Sequence, residues 1–219
     1  MSPRPQFVVA TGDYMFAKTT GTNAASQMAL YAQARSAFSG PVFAAMGNHE
    51  CTGYTNSNCV TQTTANLTAF MNTLVRPIGR TTPYYSVPFR DVNGQWTAKL
   101  VVTACNAWDS TQQGWLAAEL AKPTTYTFIA RHEPTGSTGP CNTTMDSMLQ
   151  TATYNLLLVG HTHTYYHSGK ELVEGVGGAP ISGSANYGYA TVEQQTTGGF
   201  RVRQYDYQTG QQVSTYTVQ

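Results

Sequence analysis

The sequence contains few charged residues for its length. Asp, Glu, Lys and Arg make up 11% of the 219 residues, against roughly 25% in an average globular protein, and the formal net charge is +1. No run of Lys or Arg occurs, so the sequence carries no nucleic-acid-binding signature and no basic membrane-surface patch. No apolar run is long enough to span a bilayer. These absences exclude nucleic-acid-binding and membrane-spanning classes.

The cysteines form neither a C-x-x-C motif nor a Cys/His zinc pattern, which favours disulfides over thiolate ligands. Cys51 and Cys59 flank a Gly, Asn, Ser and Thr-rich loop that a disulfide could close, and Cys105 would then pair with Cys141. The alternative for Cys105 is a buried free thiol. Disulfides and a polar, weakly charged surface predict a secreted or periplasmic protein. Because residues 1–5 do not form a signal peptide, such a signal would lie upstream of Met1.

A buried strand followed by two histidines is the most informative stretch of the chain. The apolar run 156–159 is typical of a parallel strand, and Gly160-His161-Thr162-His163 follows directly. Ligands bind outside the carboxyl ends of strands in open α/β sheets, and imidazole is a common metal ligand. An isolated H-x-H is equally compatible with two surface histidines, so other residues must decide between these interpretations.

Polar residues follow several further predicted strands. Asp13 follows strand 6–11, Asn48 and His49 follow strand 42–46, and His132 follows strand 126–131. Helices are predicted from Asn23, as N-cap, to about Ser39, from Thr61 to Leu74, from Asp109 or Ser110 to Lys122, and over 142–152. A hairpin through Asn93-Gly94 joins strands 84–89 and 99–104. Antiparallel strands are predicted at 165–172, 180–183, 187–193, 200–207 and 212–218. The pattern predicts one α/β domain over residues 1–219.

These motifs resemble those of the calcineurin-like metallophosphoesterase superfamily, nearest its purple-acid-phosphatase-like branch. The family motifs G-D, G-N-H-D/E, H and G-H-x-H occur in that order, as Gly12-Asp13, Gly47-Asn48-His49-Glu50, His132 and Gly160-His161-Thr162-His163. The resemblance implies a four-layer α/β/β/α sandwich of two mixed sheets flanked by helices. It also implies hydrolysis of phosphate monoesters or diesters by a metal-bridging hydroxide.

The resemblance implies a role for each motif residue. Asp13 bridges two metal ions, Asn48, His132 and His161 complete one ion, and His163 binds the other. His49 is the implied catalytic residue, which stabilises the transition state or protonates the leaving oxygen. Glu50 is expected to orient the residues beside it. Iron, manganese and zinc all suit these nitrogen and oxygen ligands, and the sequence does not choose among them. The expected partner is a small phosphoester; no oligomeric state is indicated.

Two departures from the family pattern affect this interpretation. The family's first motif, D-x-H, is absent, because no Asp in the chain has His two residues later. We expect the first strand and its D-x-H loop to lie upstream of Met1; the alternative is a genuine loss that leaves a catalytically impaired metal- or phosphate-binding protein. In addition, Phe16 occupies the position of the tyrosinate ligand in purple acid phosphatases, so no ferric–tyrosinate colour is expected.

Two further residues have alternative interpretations. Arg131 precedes His132 at the end of a strand. Two interpretations are open: its guanidinium binds the substrate phosphate, or it is a charge on the protein surface. His167 is more consistent with a packed or exposed histidine of a strand than with a metal ligand, and a contact with substrate is the remaining alternative.

Overall fold

The structure is a computed structural model that describes residues 4–53, 57–60, 64–183 and 185–219. The α-helices are α1 (Ala24–Arg35), α2 (Ala65–Phe70), α3 (Ser110–Ala121) and α4 (Asn142–Thr151), and α2 continues as a π-helical segment over Met71–Val75, so that helical structure includes the predicted end at Leu74. The strands are β1 (Val8–Ala10), β2 (Val42–Ala44), β3 (Tyr85–Arg90), β4 (Thr97–Val102), β5 (Tyr126–Ala130), β6 (Leu156–Val159), β7 (Tyr165–Ser168), β8 (Glu171–Glu174), β9 (Gly188–Gln194), β10 (Phe200–Asp206) and β11 (Gln212–Val218).

The strands form three sheets within the described residues. A six-stranded sheet has the order β3-β4-β5-β6-β8-β7, in which the four central strands are parallel and the two edge strands are antiparallel. A parallel pair is formed by β1 and β2, and an antiparallel sheet has the order β11-β10-β9. The predicted α/β fold is confirmed, and the six-stranded sheet is the mixed one among the described sheets.

The six-stranded sheet is covered on both faces. One face packs on α3 and α4 through a cluster that includes Ile129, Leu116 and Met145. The opposite face packs on both smaller sheets, with Phe43 of β2 in one cluster and Phe200 of β10 in another. Alternate residues of the chain around β2 point away from that interface and pack on α1 and α2. The layers around β2 therefore run helix, sheet, sheet, helix.

The helix termini differ from the sequence prediction in two places. The predicted N-cap Asn23 makes no side-chain capping hydrogen bond, and α1 ends at Arg35 rather than near Ser39. The predicted start of the second helix at Thr61 lies outside the described residues, and α2 begins after Thr64, whose hydroxyl accepts a hydrogen bond from the Leu67 amide at 3.0 Å. The Asp109 cap is observed, since its carboxylate accepts from the Gln112 amide at 2.7 Å.

The carboxyl-terminal strands also differ from the prediction. The run predicted as a single strand over 165–172 is a hairpin, because Gly169 adopts a φ of 55° and reverses the chain between β7 and β8. The predicted strand 180–183 is wrong, since those residues form a loop and a turn with Gly183 at a φ of 71°. The strands at 188–194, 200–206 and 212–218 agree with the alternating pattern.

Two disulfides join the loops near the strand ends. Cys51 is bonded to Cys59 and Cys105 to Cys141, with Cα atoms 5.8 Å and 5.0 Å apart respectively. Both predicted pairs are therefore present, and Cys105 is not a free thiol. Among the described helices, none has the length and apolar character required to cross a bilayer.

Candidate functional site

The polar residues predicted at strand ends converge at one end of the sheets. Asp13 follows β1 and Asn48 follows β2, its parallel neighbour. His132 follows β5 and His161 follows β6, which are likewise parallel neighbours. The carboxyl ends of parallel strands lie on the same side of a sheet, so the four following loops meet there.

Asp13, His132 and His161 form a compact group of metal-ligating atoms. One oxygen or nitrogen from each of the three side chains lies within 4.8 Å of the others. The Nε2 atom of His132 is 3.1 Å from Asp13 Oδ2 and 3.1 Å from His161 Nδ1. Imidazole nitrogens and a carboxylate suit iron, manganese or zinc.

His132 is held in position by a backbone carbonyl. Its Nδ1 lies 2.7 Å from the Thr11 oxygen, so the Nδ1–H donates there and Nε2 faces the group. Burial alone would lower the pKa of His132, but the adjacent Asp13 carboxylate outweighs burial and raises the pKa to about 9. The same pairing lowers the pKa of Asp13 although its burial acts in the opposite direction.

The backbone around this group is conformationally constrained. Asp13 and His161 have positive φ angles of 56° and 64°, a region that non-glycine residues seldom adopt and that is frequent at functional sites. A Cβ atom at Gly47 would lie 2.2 Å from Asp13 Oδ1, and one at Gly12 would lie 2.5 Å from His132 Nδ1. Glycine at these two positions therefore makes room for the ligating side chains.

Asn48 has one buried oxygen without a hydrogen-bond partner among the described residues. Its amide nitrogen donates to the Gly53 carbonyl at 2.9 Å, which fixes the orientation of the side chain. The Oδ1 atom is fully buried and accepts no hydrogen bond from the residues that the structure describes. A buried acceptor is costly when unsatisfied, and the amide of the next residue, His49, lies 3.2 Å from Asp13 Oδ1, so the Asn48 oxygen fits a metal ligand.

Glu50 joins the Asp13 loop to the Asn48 loop. Its carboxylate accepts hydrogen bonds from the backbone amides of Asp13, Tyr14 and Gly47 at 2.7, 2.9 and 2.9 Å. The side chain is fully buried, and burial together with the nearby Asp13 charge raises the pKa of Glu50 to about 8. Glu50 thus positions the backbone of both loops and is not one of the three grouped ligands.

His49 lies beside the group but outside it. Its backbone amide donates to Asp13 Oδ1 at 3.2 Å, and its Nδ1 is 3.3 Å from the Ala17 carbonyl. The ring is partly exposed, and the Phe16 ring lies 5.2 Å away between centroids. His49 therefore lies next to the Asp13 carboxylate without belonging to the metal-ligating group.

His163 is not brought into the compact group. Its Nδ1 lies 2.8 Å from the Pro180 carbonyl, which leaves Nε2 as the nitrogen available for another interaction. The loop is held from both directions, since the Ser182 amide donates to the His163 carbonyl at 2.7 Å. Within the described part of the chain, the metal-ligating group consists of Asp13, His132 and His161 alone.

Comparison with known families gives a result consistent with this geometry. A family model described as calcineurin-like phosphoesterase matches residues 2–165, about three quarters of the chain. The chain belongs to the calcineurin-like phosphoesterase family. A comparison with curated proteins found no match.

The matched segment of this calcineurin-like phosphoesterase contains every predicted site residue from Asp13 to His163. The family is characterised by metal-dependent phosphoester hydrolysis, and the Asp13, His132 and His161 group supplies ligand types that this chemistry requires.

Arg131 has a different role from both alternatives considered in the sequence. It is neither a phosphate ligand nor a surface charge, because its side chain is fully buried and pairs with Asp146 of α4 at 2.6 Å. The same Nη2 atom lies 3.2 Å from the Thr135 hydroxyl. His167 is an exposed strand residue whose ring stacks on Tyr216 at 3.6 Å between centroids.

Sequence reasoning missed residues that act through backbone atoms. Thr11 and Pro180 each contact a site histidine through the carbonyl oxygen, which any residue type supplies. Tyr14 is a further residue whose role the sequence pattern does not indicate. Its hydroxyl lies 2.8 Å from the Ala10 carbonyl and 2.7 Å from the Ala45 carbonyl, so it ties β1 to the chain just after β2.

Proposed function

We propose that this protein hydrolyses phosphate monoesters or diesters with metal ions held by Asp13, Asn48, His132 and His161. The observation that carries the proposal is the convergence of Asp13, His132 and His161 within 4.8 Å at the ends of three strands. Bound metal would polarise the phosphoryl oxygens. It would also lower the pKa of a water molecule, so that the water loses a proton near neutral pH and becomes an effective nucleophile.

The chain's own residues have distinct roles in this proposal. Asp13 supplies negative charge, and the buried Asn48 Oδ1 supplies a neutral oxygen ligand. Thr11 keeps the Nε2 atom of His132 directed at the group, so that this nitrogen is available once its proton is released. His49, whose backbone amide donates to Asp13 Oδ1, would stabilise charge on the phosphoryl group or protonate the leaving oxygen.

The finer assignments also remain proposals. We propose that His163 binds a second ion through Nε2 and that the chain lies nearest the purple-acid-phosphatase-like branch. Phe16 lies beside His49, and the Tyr14 hydroxyl is occupied by two carbonyls, which supports a site without a tyrosinate ligand. We further propose a location outside the cytoplasm, supported by the two disulfides.

The experiment is a metal-dependent hydrolysis assay with matched histidine variants. The protein is stripped with a chelator, reloaded with manganese, iron or zinc, and assayed with 4-nitrophenyl phosphate and bis(4-nitrophenyl) phosphate. His161→Asn should abolish metal-stimulated turnover, whereas His167→Asn, which changes an exposed histidine away from the group, should retain it. Turnover that needs no metal, or that survives in the His161 variant, would contradict the proposal.

A second candidate function is a metal- or phosphate-binding protein with only one complete metal site and impaired catalysis. The observation that favours this candidate is that the described residues contain a single group of three or more His, Cys, Asp or Glu ligands, formed by Asp13, His132 and His161. Elemental analysis alongside the assay separates the two candidates. Two metals per chain with turnover support the enzyme; one metal without turnover supports the binding protein.

A further inference from the structure

The orientation of the Asn48 side chain depends on one carbonyl oxygen. A side-chain amide has a donor end and an acceptor end of nearly the same shape, so packing alone does not determine which end faces a metal ion. The Gly53 carbonyl accepts a hydrogen bond from the Asn48 nitrogen at 2.9 Å, and a carbonyl cannot accept one from an amide oxygen. Gly53 therefore selects Oδ1, which is buried and has no partner among the described residues, as the ligand atom.

Gly53 closes a tight turn that begins at Asn48. The amides of Cys51 and Thr52 both donate to the Asn48 carbonyl at 3.0 Å. Gly53 has a φ of 74°, and a Cβ atom there would lie 2.8 Å from the Ala17 carbonyl oxygen. The carbonyl that orients Asn48 thus belongs to a residue that packs closely against a neighbouring segment.

The Cys51–Cys59 disulfide attaches this turn to another part of the chain. Both cysteine side chains are fully buried. The Cys59 amide donates to the Asn106 carbonyl at 2.7 Å, and the Asn58 side chain donates to the Trp108 carbonyl at 2.6 Å. The disulfide is therefore a covalent link between the turn and the partner of Cys59, the loop that follows β4.

Other contacts hold different parts of the same region. The Glu50 carboxylate accepts a hydrogen bond from the Gly47 amide at 2.9 Å and so fixes the chain before the turn. The Thr64 hydroxyl donates to the Cys51 carbonyl at 2.8 Å and attaches the turn to the start of α2. These two bonds should keep the region folded when the disulfide is absent, but neither is made to the Gly53 carbonyl. Removal of the disulfide should therefore loosen that carbonyl without unfolding the domain.

We propose that the Cys51–Cys59 disulfide is a positioning element for a metal ligand. It holds the Gly53 carbonyl in place, and that carbonyl directs Asn48 Oδ1 at the ion. A ligand already held in its bound orientation loses little conformational freedom when the ion binds, which strengthens binding. The inference rests on the proposed function only for the identity of Asn48 as a ligand, and it does not require hydrolysis.

The experiment is a double-mutant cycle on metal affinity. Isothermal titration calorimetry measures Mn²⁺ binding to four chelator-stripped proteins: the unaltered protein, the paired Cys51→Ala and Cys59→Ala variant, Asn48→Ala, and the combination of all three changes. Removal of the disulfide should weaken Mn²⁺ binding about 10–100-fold in the unaltered background, as loss of an outer contact to a ligand typically does. In the Asn48→Ala background the loss should be less than about twofold, because no ligand is left to position. A disulfide that only stabilises the fold would have the same effect in both backgrounds.

Matched variants separate positioning from stability. The paired Cys105→Ala and Cys141→Ala variant removes a bond that spans 36 positions, against 8 for the other disulfide, so it should lose more stability and yet keep its Mn²⁺ affinity. Gly53→Ala retains both disulfides but displaces the carbonyl, so it should weaken Mn²⁺ binding as the Cys51 and Cys59 variant does. Gly79→Ala adds a side chain at a similar φ of 76° in open space, and it should not weaken binding.

A spectroscopic measurement on the metal-free protein tests the orientation directly. The Asn48 side-chain amide protons should exchange slowly with solvent in the unaltered protein, because the side chain is buried and its nitrogen is bonded to Gly53. NMR should show exchange at least about tenfold faster in the Cys51 and Cys59 variant, since the loosened turn opens more often. The exchange rate should be unchanged in the variant that lacks the other disulfide.

Two results would overturn the proposal. The first is an equal loss of Mn²⁺ affinity in the two backgrounds, and the second is Asn48 proton exchange at the same rate with and without the disulfide. Metal binding that follows the expected cycle but supports no turnover would contradict the proposed function and leave this inference standing. Metal-dependent turnover with equal losses in both backgrounds would do the reverse, and absence of any metal binding would overturn both.

Discussion

His132 Nε2 lies 3.1 Å from Asp13 Oδ2, and these two side chains determine each other's charge in the metal-free protein. The pKa of His132 is raised to about 9 despite its burial. The native protein therefore holds a proton on His132 that the unfolded chain releases near pH 6.5. The stability contributed by this pair is complete below pH 6.5 and is lost as the pH rises through about 9.

Asp13→Asn should remove this dependence. Without the carboxylate, burial dominates and the pKa of His132 should fall to 6.5 or below. Histidine side-chain NMR of the metal-free protein measures the pKa of His132 directly, in the unaltered protein and in the variant. A His132 pKa that stays near 9 in the variant would mean that another group holds the proton.

His49→Ala should lower turnover while leaving the metal content unchanged. The imidazole is absent from the Asp13, His132 and His161 group, so its removal deletes no ligand of that group. Loss of a general acid or of transition-state stabilisation predicts a decrease on the order of 100-fold or more in kcat. Elemental analysis is the companion measurement, with His167→Ala as control; a loss of metal would instead give His49 a structural role.

Glu174→Gln should stabilise the protein in a pH-dependent way. Burial raises the pKa of Glu174 to about 7 from 4.5, so the folded state holds a proton that the unfolded state releases. The stability of the unaltered protein should fall between about pH 4.5 and 7, because over this range the carboxyl ionises freely in the unfolded chain while burial keeps it protonated in the folded state. The variant carries no charge there, so its advantage should grow over that range to about 1–3 kcal/mol.

Urea unfolding at pH 4.5, 6 and 8 measures this difference. Glu193→Gln is a suitable control, because Glu193 is a 44% exposed partner of Arg203. If the free energies of unfolding of Glu174→Gln and the unaltered protein differ by the same amount at all three pH values, burial does not raise the pKa of Glu174.

Removal of the two disulfides should have unequal costs. The Cys105–Cys141 bond spans 36 positions of sequence and the Cys51–Cys59 bond spans 8. Loop-closure entropy predicts a loss of about 4 kcal/mol for the first and about 2–3 kcal/mol for the second. Unfolding of the two paired Cys→Ala variants in urea gives both values. Equal costs would mean that local packing, and not loop length, controls the contribution of each bond.

Much of the fold was predictable because its signals are local. Each central strand is an apolar run that ends in a polar loop, and Asp109 caps α3 with its own side chain. Gly169 shows the limit of this reasoning, since apolar alternation continues through a residue that in fact reverses the chain. Capping is similarly ambiguous, because Asn23 and Thr64 both suit an N-cap and only Thr64 makes the bond.

Relationships between distant residues were less predictable. The burial of Arg131 depends on Asp146, fifteen positions later on another element, so composition could not distinguish an ion pair from a surface charge. The separation of His163 from the compact group depends on the Pro180 carbonyl, which has no side-chain signature. Sequence identified which residues belong to the strand ends, while their distances required the packing of both sheets.

The three backbone bonds to Glu50 have a consequence for sequence change. One carboxylate holds the backbone of Asp13, Tyr14 and Gly47, which are as much as 37 positions away along the chain. Substitutions in the two loops should therefore not be independent, because a shift in either loop reaches the other through the same side chain. Mutational tolerance at these positions is expected to be a property of the pair of loops and not of either loop alone.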